Sequence, residues 1–172
     1  MNLSFRAHIK KEIIMELDTN ECTGVKNNNE LEFRRIDDGN IKDFANDDFI
    51  STSMMQKGRY IGAYEKGKPI GFASLVYRGE KGDYFNIKKC DLYLQKLYIF
   101  PNYRGRRIMQ DIIIYCLTLP TPDGSAPQKV SLCVRPDNIA AIKCYKRVGF
   151  KIMGSKIFFR LCKDIVFPRH II

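Results

Sequence analysis

The feature that most constrains the fold is a pair of strand–turn–helix units in the second half of the chain. In the first, residues 92–117, an apolar run (LYLQKLYI) leads through a basic turn (FPNYRGRR) into IMQDIIIYCL. One helix face is indicated by the spacing of Ile108, Ile112, Tyr115 and Cys116. The pattern therefore predicts a strand, a loop and an amphipathic helix in that order.

The second unit covers residues 129–150. KVSLCV is a short apolar strand, and Asp137 or Asn138 caps the helix that follows. Gly149 is placed to end this helix. The residues predicted to face inward are Ile139, Ile142 and Tyr145.

The remaining elements are mostly strands. LEFRRI (31–36) alternates as a strand does, and a short helix is expected around Ile41 and Phe44. RYIGAYEKGKPIGFASLVYR is typical of a hairpin, with turn chemistry at Gly67 and Pro69. FKIMGSKIFFRLC predicts two strands joined across a GS turn.

Residues 1–30 are the hardest to interpret. FRAHIKKEIIMEL is compatible with a helix, because Ile9, Ile13 and Leu17 recur at intervals of four, but polar, turn-like residues follow. We treat residues 1–30 as an N-terminal extension of unassigned structure, followed by one domain over residues 31–172. The predicted order is β-α-β-β-β-α-β-α-β-β, an α/β protein built around one mixed sheet.

Composition is that of a single globular domain. The 172 residues are 45% hydrophobic and 12% aromatic, with no apolar run of the ~20 residues that cross a bilayer. The first residues have no apolar core before a small-residue cleavage site, so we expect no signal peptide. The six cysteines are scattered singly, which favours reduced thiols over disulfides or a metal site. We therefore expect a cytoplasmic protein with no bound metal and no membrane partner.

Charge is unevenly distributed along the chain. Residues 1–86 carry 13 Lys and Arg against 14 Asp and Glu, whereas residues 87–172 carry 16 against 5. The basic half indicates an anionic partner, such as a nucleotide cofactor, a nucleic acid or an acidic protein surface. A solvated basic face without a ligand is the alternative.

Two segments together resemble the GNAT N-acetyltransferases. LYIFPNYRGRRIMQDIII resembles the family's acetyl-CoA-binding segment, a strand, the pattern [QR]-x-x-G-x-[GA] and a helix. VSLCVRPDNIAAIKCYKRVGF resembles its second signature, L-x-V-x-x-x-N-x-x-A-x-x-x-Y-x-x-x-G-F, whose wording is closest to the branch that acetylates protein N-termini, including those of ribosomal proteins. The residues that meet this signature are Leu132, Val134, Asn138, Ala141, Tyr145, Gly149 and Phe150.

The resemblance covers about residues 31–165, and it implies a fold, a cofactor and site residues. The fold would be a mostly antiparallel mixed sheet of six to seven strands with helices on both faces. Acetyl-CoA would be the acyl donor, and an amine would attack its thioester directly in a ternary complex. Backbone groups of Leu97, Tyr98 and Ile99 would bind the pantetheine arm and polarise the thioester carbonyl. The pyrophosphate would be held by the turn residues Arg104, Gly105, Arg106, Arg107, Ile108 and Met109. The cofactor arm would be contacted by Asn138 and Ala141. Tyr145 would protonate the leaving thiolate.

Two positions of the basic turn depart from the family pattern. Arg107 stands in place of its glycine and Met109 in place of its final small residue. If the turn runs directly into the helix, its residues have negative φ and a non-glycine residue costs little there. Arg107 would then add a charged contact to phosphate, and the flexible Met109 side chain would turn away from the pyrophosphate.

The general base is not identified by the sequence. The related branch carries a Glu in the strand before the RxxN turn, where this chain has Cys133, which we interpret as a small apolar filler. Deprotonation through water toward Asp91 or Gln95 is possible, but no spacing selects either.

The acceptor and the quaternary state stay open in the sequence. The acceptor is a protein N-terminus, a lysine or a small-molecule amine, and the protein is a monomer or a homodimer. The alternative function is a non-catalytic module of the same fold that binds nucleic acid or an acidic partner through the basic half of the chain.

Overall fold

A computed structural model describes residues 3–24, 30–37, 39–44, 59–80 and 90–165, with the backbone alone described for residues 3–9 and 158–165. Seven strands form one sheet in the order β2-β3-β4-β5-β6-β1-β7. The only parallel neighbours in this part of the chain are β5 and β6. The strands are β1 Leu3–Asp18, β2 Leu31–Arg35, β3 Tyr60–Glu65, β4 Lys68–Tyr77, β5 Leu92–Ile99, β6 Lys129–Val134 and β7 Lys151–Ile165. The mixed, mostly antiparallel α/β sheet predicted from the sequence is confirmed.

Two α-helices pack against one face of the sheet. They are α1, Ile108–Leu117, and α2, Ile139–Val148, and both contribute to the main hydrophobic core. The opposite face, called the outer face below, carries a short 3-10 helix, Ile41–Phe44, whose fully buried Phe44 packs among aromatic side chains. Among the described residues, no helix is long and apolar enough to span a membrane.

The two strand–turn–helix units form as the sequence predicts, with one exception in α2. The side chain of Asn138 caps α2 by accepting a hydrogen bond from the Ala141 N–H (3.2 Å), and Gly149 ends the helix with φ +116°. The prediction that Ile139 faces inward is wrong, because its side chain is 54% exposed. Ile139 is the first helical residue, and it precedes the turn that packs on the sheet.

The N-terminal segment is a strand and not the helix that its spacing allowed. β1 lies between β6 and β7 and pairs antiparallel with both. An interval of four is a multiple of the strand period of two, so Ile13 and Leu17 lie on one face of β1 as they would on one face of a helix. Met15 shares that face and is fully buried under the helices.

The C-terminal segment also differs from its prediction. Residues Lys151–Ile165 form one continuous strand, whereas the sequence suggested two strands across a GS turn. Gly154 pairs with Ile14, and Ile152 pairs with Met15, so Met153 is an extra residue in a β-bulge. The glycine therefore marks a bulge within β7 and not a chain reversal.

The sheet opens between β5 and β6. Parallel pairing begins at Leu92 with Val130 and ends at Leu94 with Leu132. Just beyond, β5 has one extra residue relative to β4, and Lys96 takes a left-handed conformation with φ +50°. A bulge bends its strand, so the rest of β5 diverges from β6 and leaves a cleft.

Candidate active site

A cavity of about 390 Å³ lies beside this cleft, on the helix side of the sheet. It is built from the end of β5, the basic turn, the start of α1 and one side of α2. Two larger depressions, of 650 and 490 Å³, contain none of the predicted site residues. The residues that line the cavity are Leu97, Ile99, Tyr103, Arg104, Gly105, Arg106, Arg107, Ile108, Met109, Gln110, Asn138, Ala140, Ala141, Lys143, Cys144, Tyr145 and Arg147.

The cavity collects all the residues that the sequence analysis proposed for the site except Tyr98. The Tyr98 ring packs on the outer face, with its centroid 5.6 Å from that of Phe72 and 5.9 Å from that of Phe100. Leu97 and Ile99 lie on the diverged part of β5. Only the backbone of Tyr98 is therefore placed to take part in the cleft.

The backbone of the basic turn differs from the expected negative φ. Gly105 has φ +81°, and Arg107, the residue that caps α1, has φ +63° and ψ +10°. Both positions are left-handed, which explains a glycine in the family pattern at the position of Arg107. A side chain in this conformation costs about 1–2 kcal/mol, so the expectation that Arg107 has a negative φ and little strain is wrong.

The three arginines of the turn have different partners. Arg104 donates from Nε to the Ile99 carbonyl oxygen (3.0 Å), and Arg106 forms a two-pronged ion pair with Glu65, with one hydrogen bond of 3.1 Å. Within the described residues, the guanidinium of Arg107 has no hydrogen bond or ion pair. Arg107 is exposed and lines the cavity, so its whole guanidinium is available to an anion.

Helix α2 adds two cations that the sequence analysis did not select. Lys143 and Arg147 are four residues apart on one side of α2 and line the cavity, while the cavity lining contains no Asp or Glu. The N-terminal ends of α1 and α2 both border the cavity, and their unpaired N–H groups and dipoles add positive potential. The basic run KCYKR (143–147) was the signal for these cations in the sequence, but how α2 packs decides which of its residues line the cavity.

Met109 lies at the edge of the cavity and packs partly on the main core. It is the second residue of α1 and is half-buried. Its side chain therefore narrows the place where the family pattern has a small residue. The N–H groups at the start of α1 still border the cavity, so an anion retains the contacts that a helix start offers.

Tyr145 is one of the two buried residues of α2, with Val148. It is 6% exposed and lines the cavity, with its ring centroid 6.1 Å from that of Phe150. Burial raises the pKa of its phenol well above the usual range, and the neighbouring Cys144 adds to the rise. The phenol consequently keeps its proton at neutral and moderately alkaline pH.

The thiols near the cleft are poor nucleophiles. Burial raises the pKa of the Cys144 thiol to about 11, despite the opposing charge of Arg147. Burial also raises the pKa of Cys133 on the outer face, although Tyr93 hydrogen-bonds to that thiol. Since the thiolate is the reactive form, neither cysteine is activated at neutral pH.

Asp91 is one of the two candidates for accepting the substrate's proton through water, but its contacts give it a structural role. Its carboxylate accepts hydrogen bonds from the N–H groups of Gln128 (3.0 Å) and Lys129 (2.9 Å) and pairs with Arg78. Burial alone would raise its pKa, but these contacts lower it overall. Asp91 lies just before β5, at the end where β5 and β6 are still paired. Its hydrogen bonds to residues 128 and 129 hold the two strands together there.

Comparison with known families identifies the class of protein. The model of the acetyltransferase (GNAT) family matches residues 24–150, so the chain belongs to this family. A comparison with curated protein sequences finds no match.

Solved structures show the same fold. A GNAT-family acetyltransferase from Novosphingobium aromaticivorans shares 13% identity over 94% of this chain and 68% of its own, with a TM-score of 0.65. AAC(6′)-Iy shares 16% identity over 83% of this chain and 99% of its own, with a TM-score of 0.54. Naa50 from Arabidopsis thaliana shares 18% identity over 72% and 85%, with a TM-score of 0.51. This chain spans only 64%, 52%, 56% and 60% of the length of four other neighbours.

Proposed function

We propose that this protein transfers an acetyl group from acetyl-CoA to a primary amine by direct attack in a ternary complex, with Tyr145 as the general acid. The observation that carries the proposal is that one cavity is lined both by a buried phenol and by a cationic surface that contains no carboxylate. Tyr145 lines the cavity at its buried side, and the basic turn with Arg107 lines its exposed side.

The cationic part of the cavity suits the phosphates of a CoA thioester. Arg107, Lys143 and Arg147 line it without a competing carboxylate, and the start of α1 adds backbone N–H groups. The diverged part of β5, with Leu97 and Ile99, leads from this anion site toward the opening in the sheet. A ligand with phosphates at one end and a reactive group at the other matches that arrangement.

The chemistry follows from the neutral phenol. The amine attacks the thioester carbonyl carbon, the C–S bond breaks, and the departing thiolate takes the Tyr145 proton. The phenol regains a proton from the nitrogen, which has become positively charged on attack. The high pKa of Cys144 supports direct attack over an acyl-cysteine intermediate.

Structures of related fold were solved with the same kind of ligand. AAC(6′)-Iy was crystallised with the bisubstrate analogue CoA-S-monomethyl-acetylneamine, and Naa50 with CoA-Ac-MVNAL. In both ligands CoA is joined to an acceptor portion. These complexes support acetyl-CoA as the donor here and leave the acceptor as an amine of peptide or small-molecule type.

Tyr145→Phe tests this function. The variant should lower kcat about 100-fold or more, because a positioned general acid contributes at that level, while its Kd for acetyl-CoA stays unchanged. Steady-state acetylation of spermidine and of a peptide with a free N-terminus, with calorimetric titration of acetyl-CoA, measures both quantities. Tyr115→Phe, on α1 and outside the cavity lining, is the matched control. Equal rates for Tyr145→Phe and the control would refute the role of Tyr145.

A further inference from the structure

A buried carboxylate on β1 lies one strand away from the open part of the β5–β6 cleft. Glu12 is 3% exposed, which is unusual for this residue type, and its only ion pair within the described residues is with Lys10 (2.6 Å). The desolvation of a carboxylate costs free energy that a partly exposed lysine recovers only in part.

The register places Glu12 at the level where the sheet has opened. Ile13 of β1 pairs with Val134, so Glu12 lies next to Arg135, three residues past Leu132, where pairing of β6 with β5 ends. Glu12 alternates with Ile13 and Met15, which pack under the helices, and therefore faces the outer side. The end of β6 lies between this carboxylate and the cleft, and Glu12 does not line the cavity that contains Tyr145.

The surroundings of Glu12 on the outer face come from four strands. The charged and titratable groups that face it are Lys10 of β1, Lys156 of β7, Cys133 and Arg135 at the end of β6, and Tyr93 of β5. Burial is the main cause of the raised pKa of Cys133, and the charge of Glu12 adds to it. Among these groups Glu12 is the only carboxylate.

We propose that Glu12 accepts the proton of the substrate ammonium, directly or through one water, so that β1 completes the active site from the outer face. This inference rests on the proposed acetyl transfer. An amine is protonated at neutral pH and cannot attack a carbonyl in that form, so the reaction needs a proton acceptor near the opening.

The proton balance of the step is complete. The ammonium gives one proton to Glu12 and becomes a neutral amine, which forms the N–C bond to the thioester carbon. The C–S bond then breaks, the thiolate takes a proton from Tyr145, and the nitrogen of the new amide returns one to the phenol. Glu12 finally releases its proton to solvent, so one proton leaves for each amide formed.

Glu12→Gln tests the inference, with Glu16→Gln as the matched control. Glu16 lies on the same strand and face and pairs with Lys129 (3.0 Å), but at the closed end of the cleft. Glu12→Gln should lower kcat for acetylation of spermidine at pH 7 about 100-fold, within the usual range for a general base, and leave the Kd for acetyl-CoA unchanged. Its rate should rise about tenfold per pH unit as free amine forms in solution. Glu12→Asp should recover part of the activity, and Glu16→Gln should keep nearly all of it.

Three results would overturn the inference. One is a Glu12→Gln enzyme with wild-type kcat at pH 7. Another is a loss of activity that is matched in Glu16→Gln and accompanied by the same fall in thermal midpoint, which would make Glu12 a structural ion pair. The third is a wild-type protein that binds acetyl-CoA but acetylates neither spermidine nor a peptide that offers both a free N-terminus and a lysine; this outcome overturns the transferase itself, and the role of Glu12 with it.

Discussion

Replacing Arg107 with glycine should stabilise the protein and weaken its cofactor binding at once. Arg107 caps α1 with φ +63°, a conformation that costs a non-glycine residue about 1–2 kcal/mol. Glycine removes that strain but adds about 0.4–1 kcal/mol of backbone entropy to the unfolded chain. The net gain in the free energy of unfolding is about 0.5–1 kcal/mol, or roughly 1–4 °C in thermal midpoint for a chain of this length.

The same substitution removes the guanidinium that is available to a phosphate. A hydrogen bond to a charged group contributes about 1.5–3 kcal/mol, and because Arg107 is exposed we expect the lower end, roughly a tenfold rise in the Kd for acetyl-CoA. Thermal unfolding without cofactor and calorimetric titration with acetyl-CoA measure the two effects separately.

Lys66→Gly is the matched control for Arg107→Gly. Lys66 also has a left-handed backbone (φ +51°), in the β3–β4 turn, and it does not line the cavity. The Lys66→Gly substitution should raise the thermal midpoint without changing the Kd for acetyl-CoA. If Arg107→Gly lowers the midpoint in the absence of cofactor, or leaves the affinity unchanged, the strain and the phosphate contact inferred for Arg107 are refuted.

Other perturbations have equally definite outcomes. Met109→Ala should cost about 1–2 kcal/mol of stability, since a half-buried side chain is truncated, and should bind acetyl-CoA at least as tightly in calorimetry because the cavity widens; a tenfold weaker affinity would contradict this. Gly149→Ala should cost about 1–3 kcal/mol in denaturant unfolding, because φ is +116° and the added methyl would lie 2.9 Å from the Glu21 carbonyl oxygen; an unchanged midpoint would contradict it. The raised pKa of Tyr145 predicts that the rate shows no loss from its ionisation below about pH 10; an alkaline fall centred below that pH and absent in Tyr145→Phe would refute the buried phenol.

The sequence predicts best where the signal is local. The bounds of α1 and the caps of α2 at Asn138 and Gly149 follow from spacing and cap chemistry within a dozen residues. The hairpin β3–β4 follows from two β-rich runs around Gly67, which takes φ +75° in the turn.

Features that depend on distant pairing were not accessible in the same way. β1 reads equally as a helix or a strand, and only its pairing with β6 and β7, more than a hundred residues away, decides between them. The β5–β6 cleft likewise requires both strands and the bulge at Lys96. For that reason the carboxylate of Glu12, which β1 places one strand away from the cleft, carried no signal in the sequence.

The residues of the candidate site show the same difference between local sequence signals and tertiary packing. The turn and Tyr145 were accessible through the family motifs, whereas Lys143 and Arg147 emerged from the packing of α2. The backbone of Arg107 shows the limit of motif reasoning, because a pattern records a glycine without its φ. Its left-handed conformation became evident only from the structure.

Titration of the wild-type protein with acetyl-CoA by calorimetry tests the central claim most directly. A cavity lined by Arg107, Lys143 and Arg147 at the start of α1 should bind acetyl-CoA with a micromolar Kd and one site per chain. Affinity should fall as salt rises, because the phosphate contacts are partly exposed. No heat of binding at millimolar acetyl-CoA would contradict the account, since the cavity would then hold no donor and the acetyl transfer would have no substrate.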